Sequence, residues 1–200
     1  IKMGYSKISE EKVIILITDP FNRKSFDLFN IIKKKHPLLK PVILNQRNNF
    51  FDKIKIRLLY FSDLFILRKN NFENDLKKIL KKFSRDEIVY IPIEEDITLL
   101  FYEFVSKNFY RNLRFLLPDK YVFEMVRNKE MFLKFCMSND FIIPKMYSEK
   151  DFNLLEKNFR PLVIKPKLSS GAVGLKFLHI KKDLDILDKI EFNKFLLQEK

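Results

Sequence analysis

The chain has 200 residues, of which 46% are hydrophobic, so it can bury the core of one large domain or of two small ones. The formal net charge of +13 is compatible with an acidic or nucleic-acid partner. No apolar run is long enough to span a membrane, and Cys136 is the single cysteine, which excludes an internal disulfide. We therefore expect a cytoplasmic protein without a membrane partner.

The first hundred residues alternate between apolar runs and helical patterns. Strands are predicted for residues 12–18, 41–44, 64–67 and 87–91, and helices for residues 22–36, 71–83 and 94–107. Residues 45–60 are ambiguous, because Ile54, Leu58 and Leu59 have helical spacing among many strand-forming residues. Continuous apolar strands that alternate with helices favour right-handed βαβ units and a mostly parallel sheet.

The basic residues are spread along the chain. In residues 71–83, for example, the lysines alternate with apolar residues at helical spacing, which indicates the solvated side of an amphipathic helix. The alternative function that the charge suggests is a non-enzymatic basic α/β module that binds nucleic acid or an acidic partner. The scatter of charge and the lack of an aromatic–basic motif argue against nucleic acid.

The second half has shorter elements. Helices are predicted for residues 120–126, from Asn128 onward, from a Ser148 cap to residue 158, and for residues 182–190; strands are predicted for residues 161–166, 175–180 and 195–199. The helix that begins near Asn128 should direct four side chains into the core, those of Met131, Phe132, Phe135 and Cys136. Cys136 is therefore expected to be a core thiol rather than a nucleophile. The best domain boundary lies near residues 105–118, which gives domains 1–110 and 111–200.

A loop of small residues separates two of these strands. It reads Ser169-Ser170-Gly171-Ala172-Val173-Gly174 and holds two of the three glycines in the chain. Successive bare N–H groups can form a concavity that binds an anion, and Lys165 ends the preceding strand, so a phosphate group is the expected ligand. The pattern is neither a P-loop nor a dinucleotide fingerprint. The alternative is an ordinary hairpin with a solvated Lys165.

Several short motifs follow one another in residues 115–200. They are Pro118-Asp119, Asn128-Lys129, Asp140-Phe-Ile-Ile-Pro144, the strand around Lys165, the Ser/Gly loop and Leu197-Gln198-Glu199. As an ordered set they resemble the ATP-grasp superfamily, and most of all its carbamoyl-phosphate-synthase-type and related carboxylate–amine ligases. The first hundred residues are similar to the Rossmann-like pre-ATP-grasp domain. The resemblance implies an α/β fold: a parallel sheet followed by the small α+β lobe of an ATP-grasp domain, truncated before the metal-binding lobe.

The resemblance also implies an ATP site. Lys129 and Lys165 would contact the nucleotide phosphates from two sides, and the loop would cover them with its N–H groups. Gln198 and Glu199 would bind the adenine amino group from the hinge strand. Asn128 stands where the family more often has Asp. The implied ATP-binding residues are Lys129, Lys165, Ser169, Ser170, Gly171, Gly174, Gln198 and Glu199.

The implied function is that of the N-terminal part of an ATP-dependent ligase. Such an enzyme forms an acyl phosphate from a carboxylate or bicarbonate and passes it to an amine-type nucleophile. The family uses ATP and Mg²⁺, and its metal ligands would follow Lys200, so no metal site is expected within the chain. The fragment alone is therefore expected to be inactive. The catalytic residues, both substrates, the roles of His36 and His179, and whether the chain forms a homodimer stay open.

Overall fold

The computed structural model describes residues 12–169 and 173–200. The chain forms two compact units, residues 1–117 and 118–200. The division falls after Leu117 because a short strand at residues 113–115, which the sequence did not predict, pairs with the sheet of the first unit.

The first unit is a five-stranded parallel sheet with helices on both faces. Its strand order is β3-β2-β1-β4-β5. The strands are β1 (Val13–Thr18), β2 (Leu39–Asn45), β3 (Leu64–Ile66), β4 (Glu87–Ile91) and β5 (Leu113–Phe115); the helices are α1 (Arg23–Lys35), α2 (Phe50–Tyr60), α3 (Phe72–Lys82) and α4 (Glu95–Lys107).

Both faces of this sheet carry a hydrophobic core. Leu16 packs with residues of α3 and α4 on one face, whereas Ile17 packs with residues of α1 and α2 on the other. Alternate side chains of β1 therefore enter different cores, which explains why the strand is an unbroken apolar run. The parallel sheet confirms the fold predicted for this half.

The ambiguous segment at residues 45–60 contains α2. The side chain of Asn49 caps this helix by accepting a hydrogen bond of 2.7 Å from the Asp52 N–H. Ile56 and Tyr60, one turn apart, are buried against the sheet. Ile54, Leu58 and Leu59, whose spacing suggested a helix, lie on the exposed side.

The second unit contains a four-stranded antiparallel sheet in the order β6-β9-β7-β8. The strands are β6 (Met146–Tyr147), β7 (Leu162–Pro166), β8 (Lys176–Leu178) and β9 (Phe195–Glu199); the helices are α5 (Lys120–Arg127), α6 (Lys129–Ser138) and α7 (Phe152–Lys157). One face of the sheet forms the core with α7. The pairing of β7 with β8 confirms the predicted hairpin.

Two local predictions for this unit have different outcomes. The Ser148 capping box with Asp151 is confirmed, since the Ser148 N–H donates to the Asp151 carboxylate at 2.7 Å. The predicted helix at residues 182–190 is instead a 3₁₀ segment, Lys181–Lys189. Within the described residues, no helix has the length and apolar character needed to cross a membrane.

The prediction that one face of α6 is buried in the core is wrong. Met131, Phe132 and Phe135 are 39–42% exposed, and Cys136 is only half-buried. The pattern correctly identified a helix, Lys129–Ser138. It could not show that α6 contacts the end of β7 through polar groups at its first turn instead of packing its apolar stripe into the core of the sheet.

Candidate functional site

One face of the second sheet lies opposite its hydrophobic core and carries two of the predicted site residues. In the antiparallel register, Val163 pairs with Gln198 and Lys165 pairs with Leu196. Paired residues and residues two apart on a strand share a face, so Lys165 and Gln198 lie on the same face. The neighbouring residues Leu162 and Ile164 point into the core. The structure thus brings these two predicted residues together.

The side-chain amide of Gln198 contains a buried hydrogen-bond donor that is unsatisfied among the described residues. The residue is 1% exposed, and its Nε2 group has no partner among the described residues. A buried amide without a partner costs about 1–3 kcal/mol. A buried polar group of this kind in a folded protein calls for an explanation, and a ligand that supplies an acceptor is one.

Lys129 lies at the end of β7 and contacts the start of the small-residue loop. Its ammonium donates to the Ser169 carbonyl at 2.5 Å, to the Ser169 hydroxyl at 3.0 Å and to the Pro166 carbonyl at 3.1 Å. Pro166 directly follows Lys165. The structure therefore brings the two predicted lysines to the same stretch of chain, where Lys129 holds the loop through its backbone.

The first turn of α6 is fixed by several polar contacts. The Asn128 side chain caps the helix by accepting a hydrogen bond of 3.0 Å from the Glu130 N–H. The Lys129 N–H donates to the Lys167 carbonyl at 3.0 Å. Glu130 forms ion pairs with Lys167 at 2.5 Å and with Lys134 at 3.0 Å. The hydrogen bond from Lys167, followed by that from Lys134, lowers the pKa of the Glu130 carboxyl.

Gly174, at the other end of the loop, could not be replaced without strain. Its φ is +77°, and a Cβ atom at this position would lie 2.8 Å from the Pro166 Cγ. The glycine therefore permits both a left-handed backbone and a close approach of its own backbone to Pro166 at the end of β7. Ser170 and Gly171, which the sequence also assigned to the site, lie outside the described residues.

The side chain of Glu199 does not join this face. It forms an ion pair with Arg160 at 2.9 Å, and the residue is in register with the core residue Leu162. The Glu199 N–H donates to the Lys145 carbonyl at 2.9 Å. Any contact between Glu199 and a ligand on the Lys165 face would therefore have to use its backbone carbonyl.

The described part of the chain contains no group of three or more His, Cys, Asp or Glu residues that could hold a metal ion. The charged side chains around the loop are lysines and the paired Glu130. This set of donors suits an anion and does not fit a divalent cation.

A polar cluster that sequence reasoning missed lies at the carboxyl edge of the first sheet. Asp19 follows β1 with a φ of 57°, and its carboxylate accepts hydrogen bonds from the Thr18 hydroxyl at 2.5 Å, from the Gln46 amide and from the Glu94 N–H at 3.2 Å. The Asn22 amide donates to the Glu94 side chain. The contacts join the ends of β1, β2 and β4. The one sequence feature that could have indicated this cluster is Asp19, a carboxylate that directly follows a strand predicted to be buried.

This edge includes the point between β1 and β4 where the strand order reverses, which is where open α/β sheets usually bind ligands. The buried Tyr90 hydroxyl has no partner among the described residues. Burial, followed by the charge of Asp19, raises the pKa of Tyr90 well above its usual value. Because Asp19 already accepts three hydrogen bonds, its evident role is to fix the edge of the sheet.

Among the solved structures that resemble the chain are two that match it over most of its length. The L-amino acid ligase from Bacillus licheniformis matches with a TM-score of 0.55 and 16% sequence identity, over 95% of this chain and 44% of that chain. The D-alanyl-alanine synthetase A from Vibrio cholerae O1 biovar eltor str. N16961 matches with a TM-score of 0.55 and 10% identity, over 95% of this chain and 59% of that chain. No protein-family model and no curated protein matches the chain.

Both solved proteins are ATP-grasp enzymes, so the likeness confirms the ATP-grasp fold that the order of motifs suggested. This chain spans about half the length of each of them, 44% and 59%. At these identities the likeness establishes the fold and leaves the activity to be argued from the site.

Proposed function

We propose that the chain is the N-terminal part of an ATP-dependent carboxylate–amine ligase and that its second unit binds ATP. The observation that carries the proposal is the face shared by Lys165 and Gln198, whose Nε2 group has no partner among the described residues, next to the loop that Lys129 holds. The order of motifs favours a carbamoyl-phosphate-synthase-like member of this class. The fold of the two solved ligases supports the general activity.

The phosphate end of the nucleotide would lie near Lys129, Lys165 and the loop. Among the described residues, no carboxylate pairs with Lys165, so its charge is available to an anion. Lys129 already binds the oxygen atoms of Ser169 and Pro166, and a phosphate oxygen would be a stronger, charged acceptor. Ser169 is the first residue of the loop and Gly174 is the last. The N–H groups of the loop would add uncharged donors to the phosphate site.

The adenine end would lie near Gln198. Along an antiparallel strand, residues two apart are separated by about 7 Å, so Lys165 and Gln198 can contact different parts of one nucleotide. A carboxamide offers one donor and one acceptor, which match a ring nitrogen and the amino group of adenine. The backbone carbonyl of Glu199 is the further acceptor in this proposal.

ATP would supply the phosphoryl group that turns a carboxylate or bicarbonate into an acyl phosphate, which an amine-type nucleophile then attacks. The described residues would bind and orient the nucleotide and exclude water from its base. They do not include a set that fits Mg²⁺, so we assign no step to the metal here.

Calorimetric titration of the 200-residue chain with ATP tests this proposal. We expect the double variant Lys129→Ala, Lys165→Ala to bind ATP at least about tenfold more weakly, because each charge-assisted contact is stronger than a neutral one. The matched control is Lys150→Ala, Lys157→Ala, which removes two exposed lysines of the same unit. A double variant that binds ATP as tightly as the control would contradict the site, and a wild-type chain that does not bind ATP would contradict the proposal itself.

A further inference from the structure

Glu130 connects two segments that are distant in the sequence. Its carboxylate is 2.5 Å from the Lys167 ammonium, just beyond β7, and 3.0 Å from Lys134 on its own helix. The Lys167 side chain is only 16% exposed and that of Glu130 is 29% exposed. The pair is therefore far better shielded from water than an ordinary surface ion pair, whose contribution is small.

This ion pair lies beside the backbone contact that sets the position of Lys129. The Lys129 N–H donates to the Lys167 carbonyl at 3.0 Å, so Lys167 is held to α6 through both its backbone and its side chain. The Lys129 ammonium is 3.1 Å from the Pro166 carbonyl, one residue before Lys167. Movement of Lys167 away from α6 would thus change where the Lys129 ammonium can reach.

We propose that Glu130 is a positioning residue for the phosphate-binding lysine: through Lys167 it fixes the first turn of α6 so that the Lys129 ammonium lies over the start of the loop. The inference rests on the proposed function, since it concerns the site for the nucleotide phosphates. Glu130 does not contact the nucleotide in this arrangement. A negative charge beside a phosphate site would otherwise oppose binding, and its pairing with Lys167 offsets that charge.

A role limited to stability makes a different prediction. If Glu130 only stabilised the fold, its loss would weaken the binding of every ligand of the unit to the same extent. A positioning role acts on the phosphate contacts alone. Adenosine, which has no phosphate, would then keep its affinity while ATP loses some of its own, so the ratio of the two affinities separates the two roles.

The test compares Glu130→Gln with Glu124→Gln in the 200-residue chain. Glu124 pairs with Lys120 at 3.8 Å one turn away on α5, with both side chains 49% exposed, so the control removes the same charge from an exposed pair. For each variant we would measure amide hydrogen exchange at Lys129. We would also titrate each variant calorimetrically with ATP and with adenosine. We expect Glu130→Gln to speed exchange at Lys129 and to lower the ATP affinity on the order of tenfold relative to adenosine, because a small misplacement of a binding group is costly.

The second part of the experiment exchanges the charges of Glu130 and Lys167. The double variant Glu130→Lys, Lys167→Glu restores the ion pair with its direction reversed, and we expect it to recover most of the ATP affinity that Glu130→Lys alone loses. Failure to recover, or a Glu130→Gln variant that matches Glu124→Gln in exchange or in the affinity ratio, overturns the inference. A wild-type chain that does not bind ATP overturns the proposed function instead, and with it the premise of the inference.

Discussion

The Lys129 ammonium lies 3.0 Å from the Ser169 hydroxyl, although 40 residues separate the two in the sequence. The same ammonium also binds the Ser169 and Pro166 carbonyls. One lysine at the start of a helix thus determines where the small-residue loop leaves its strand. The predictions below concern this site, which lies in the second unit, and the stability of each unit by itself.

Gln198→Leu should stabilise the second unit and weaken ATP binding. The substitution keeps the approximate volume and removes a buried amide whose Nε2 group has no partner among the described residues, so we expect a gain of about 1 kcal/mol in the free energy of unfolding. The same change deletes the donor and acceptor proposed for adenine. Urea unfolding and ATP titration measure the two effects, and Leu196→Met, on the same face, is the control. A loss of stability would show that the amide has a partner.

Gly174→Ala should destabilise the loop. The left-handed φ of +77° costs an alanine roughly 1–2 kcal/mol, and the added Cβ would also meet the Pro166 Cγ at 2.8 Å. We expect lower thermal stability of the second unit and weaker ATP binding. Val173→Ala, at an exposed neighbouring position, is the matched control. Equal melting temperatures for the two variants would contradict the prediction.

Asp75→Asn should remove part of the acid sensitivity of the first unit. Asp75 is 6% exposed and accepts hydrogen bonds of 2.9 and 2.8 Å from the Arg68 guanidinium. The hydrogen bond from Arg68 is the main cause that lowers the pKa of Asp75 from 3.8 to about 2. Because the folded pKa is the lower one, the stabilisation is present above about pH 4 and disappears as the pH falls towards 2.

The shift corresponds to about 2 kcal/mol in the free energy of unfolding at neutral pH. Urea unfolding followed by circular dichroism between pH 7 and pH 2 should therefore show a shallower decline for Asp75→Asn than for the wild type. Asp27→Asn, which removes an exposed carboxylate paired with Arg23, should follow the wild-type curve. Parallel curves for Asp75→Asn and the wild type would rule out the assigned role.

Ser25→Ala should destabilise the first unit by about 1–3 kcal/mol. Its buried hydroxyl lies 2.8 Å from the Thr18 carbonyl and 2.7 Å from the Asp19 carbonyl, and thus holds the chain where it leaves β1. Removal leaves these carbonyls without that donor. Ser106→Ala, at an exposed position on α4, is the control, and chemical denaturation measures both. A cost no larger than that of the control would show that water or a backbone shift replaces the hydroxyl.

The sequence predicted the first sheet well because its strands are covered on both faces and appear as unbroken apolar runs. It left the segment of α2 undecided and assigned the wrong face to α6, and in both helices apolar residues lie outward. In α2, Ile54 and Leu58 are exposed, whereas Ile56 and Tyr60 hold the helix to the sheet. Periodicity reveals that a helix has an apolar stripe, but it does not reveal whether a neighbouring element covers that stripe.

The candidate site was predictable only in part. Small residues next to a strand that ends in Lys165 indicated a phosphate loop, and the order of motifs added Lys129 and Gln198. The pairing of Glu130 with Lys167, 37 positions away, and the polar cluster around Asp19 depend on contacts between distant segments. No local pattern encodes such contacts, so they become visible only once the strands are placed beside one another.

The position of β9 in the second sheet has a consequence for biosynthesis. This strand lies between β6 and β7, yet within the described residues it follows both of them in the chain. On the ribosome, the five described strands of the first unit are complete once residue 115 has emerged, and this unit can fold while translation continues. The second sheet stays divided into β6 and the β7–β8 hairpin until β9 is released. Gln198 therefore reaches its place only after the β7–β8 hairpin has been synthesised.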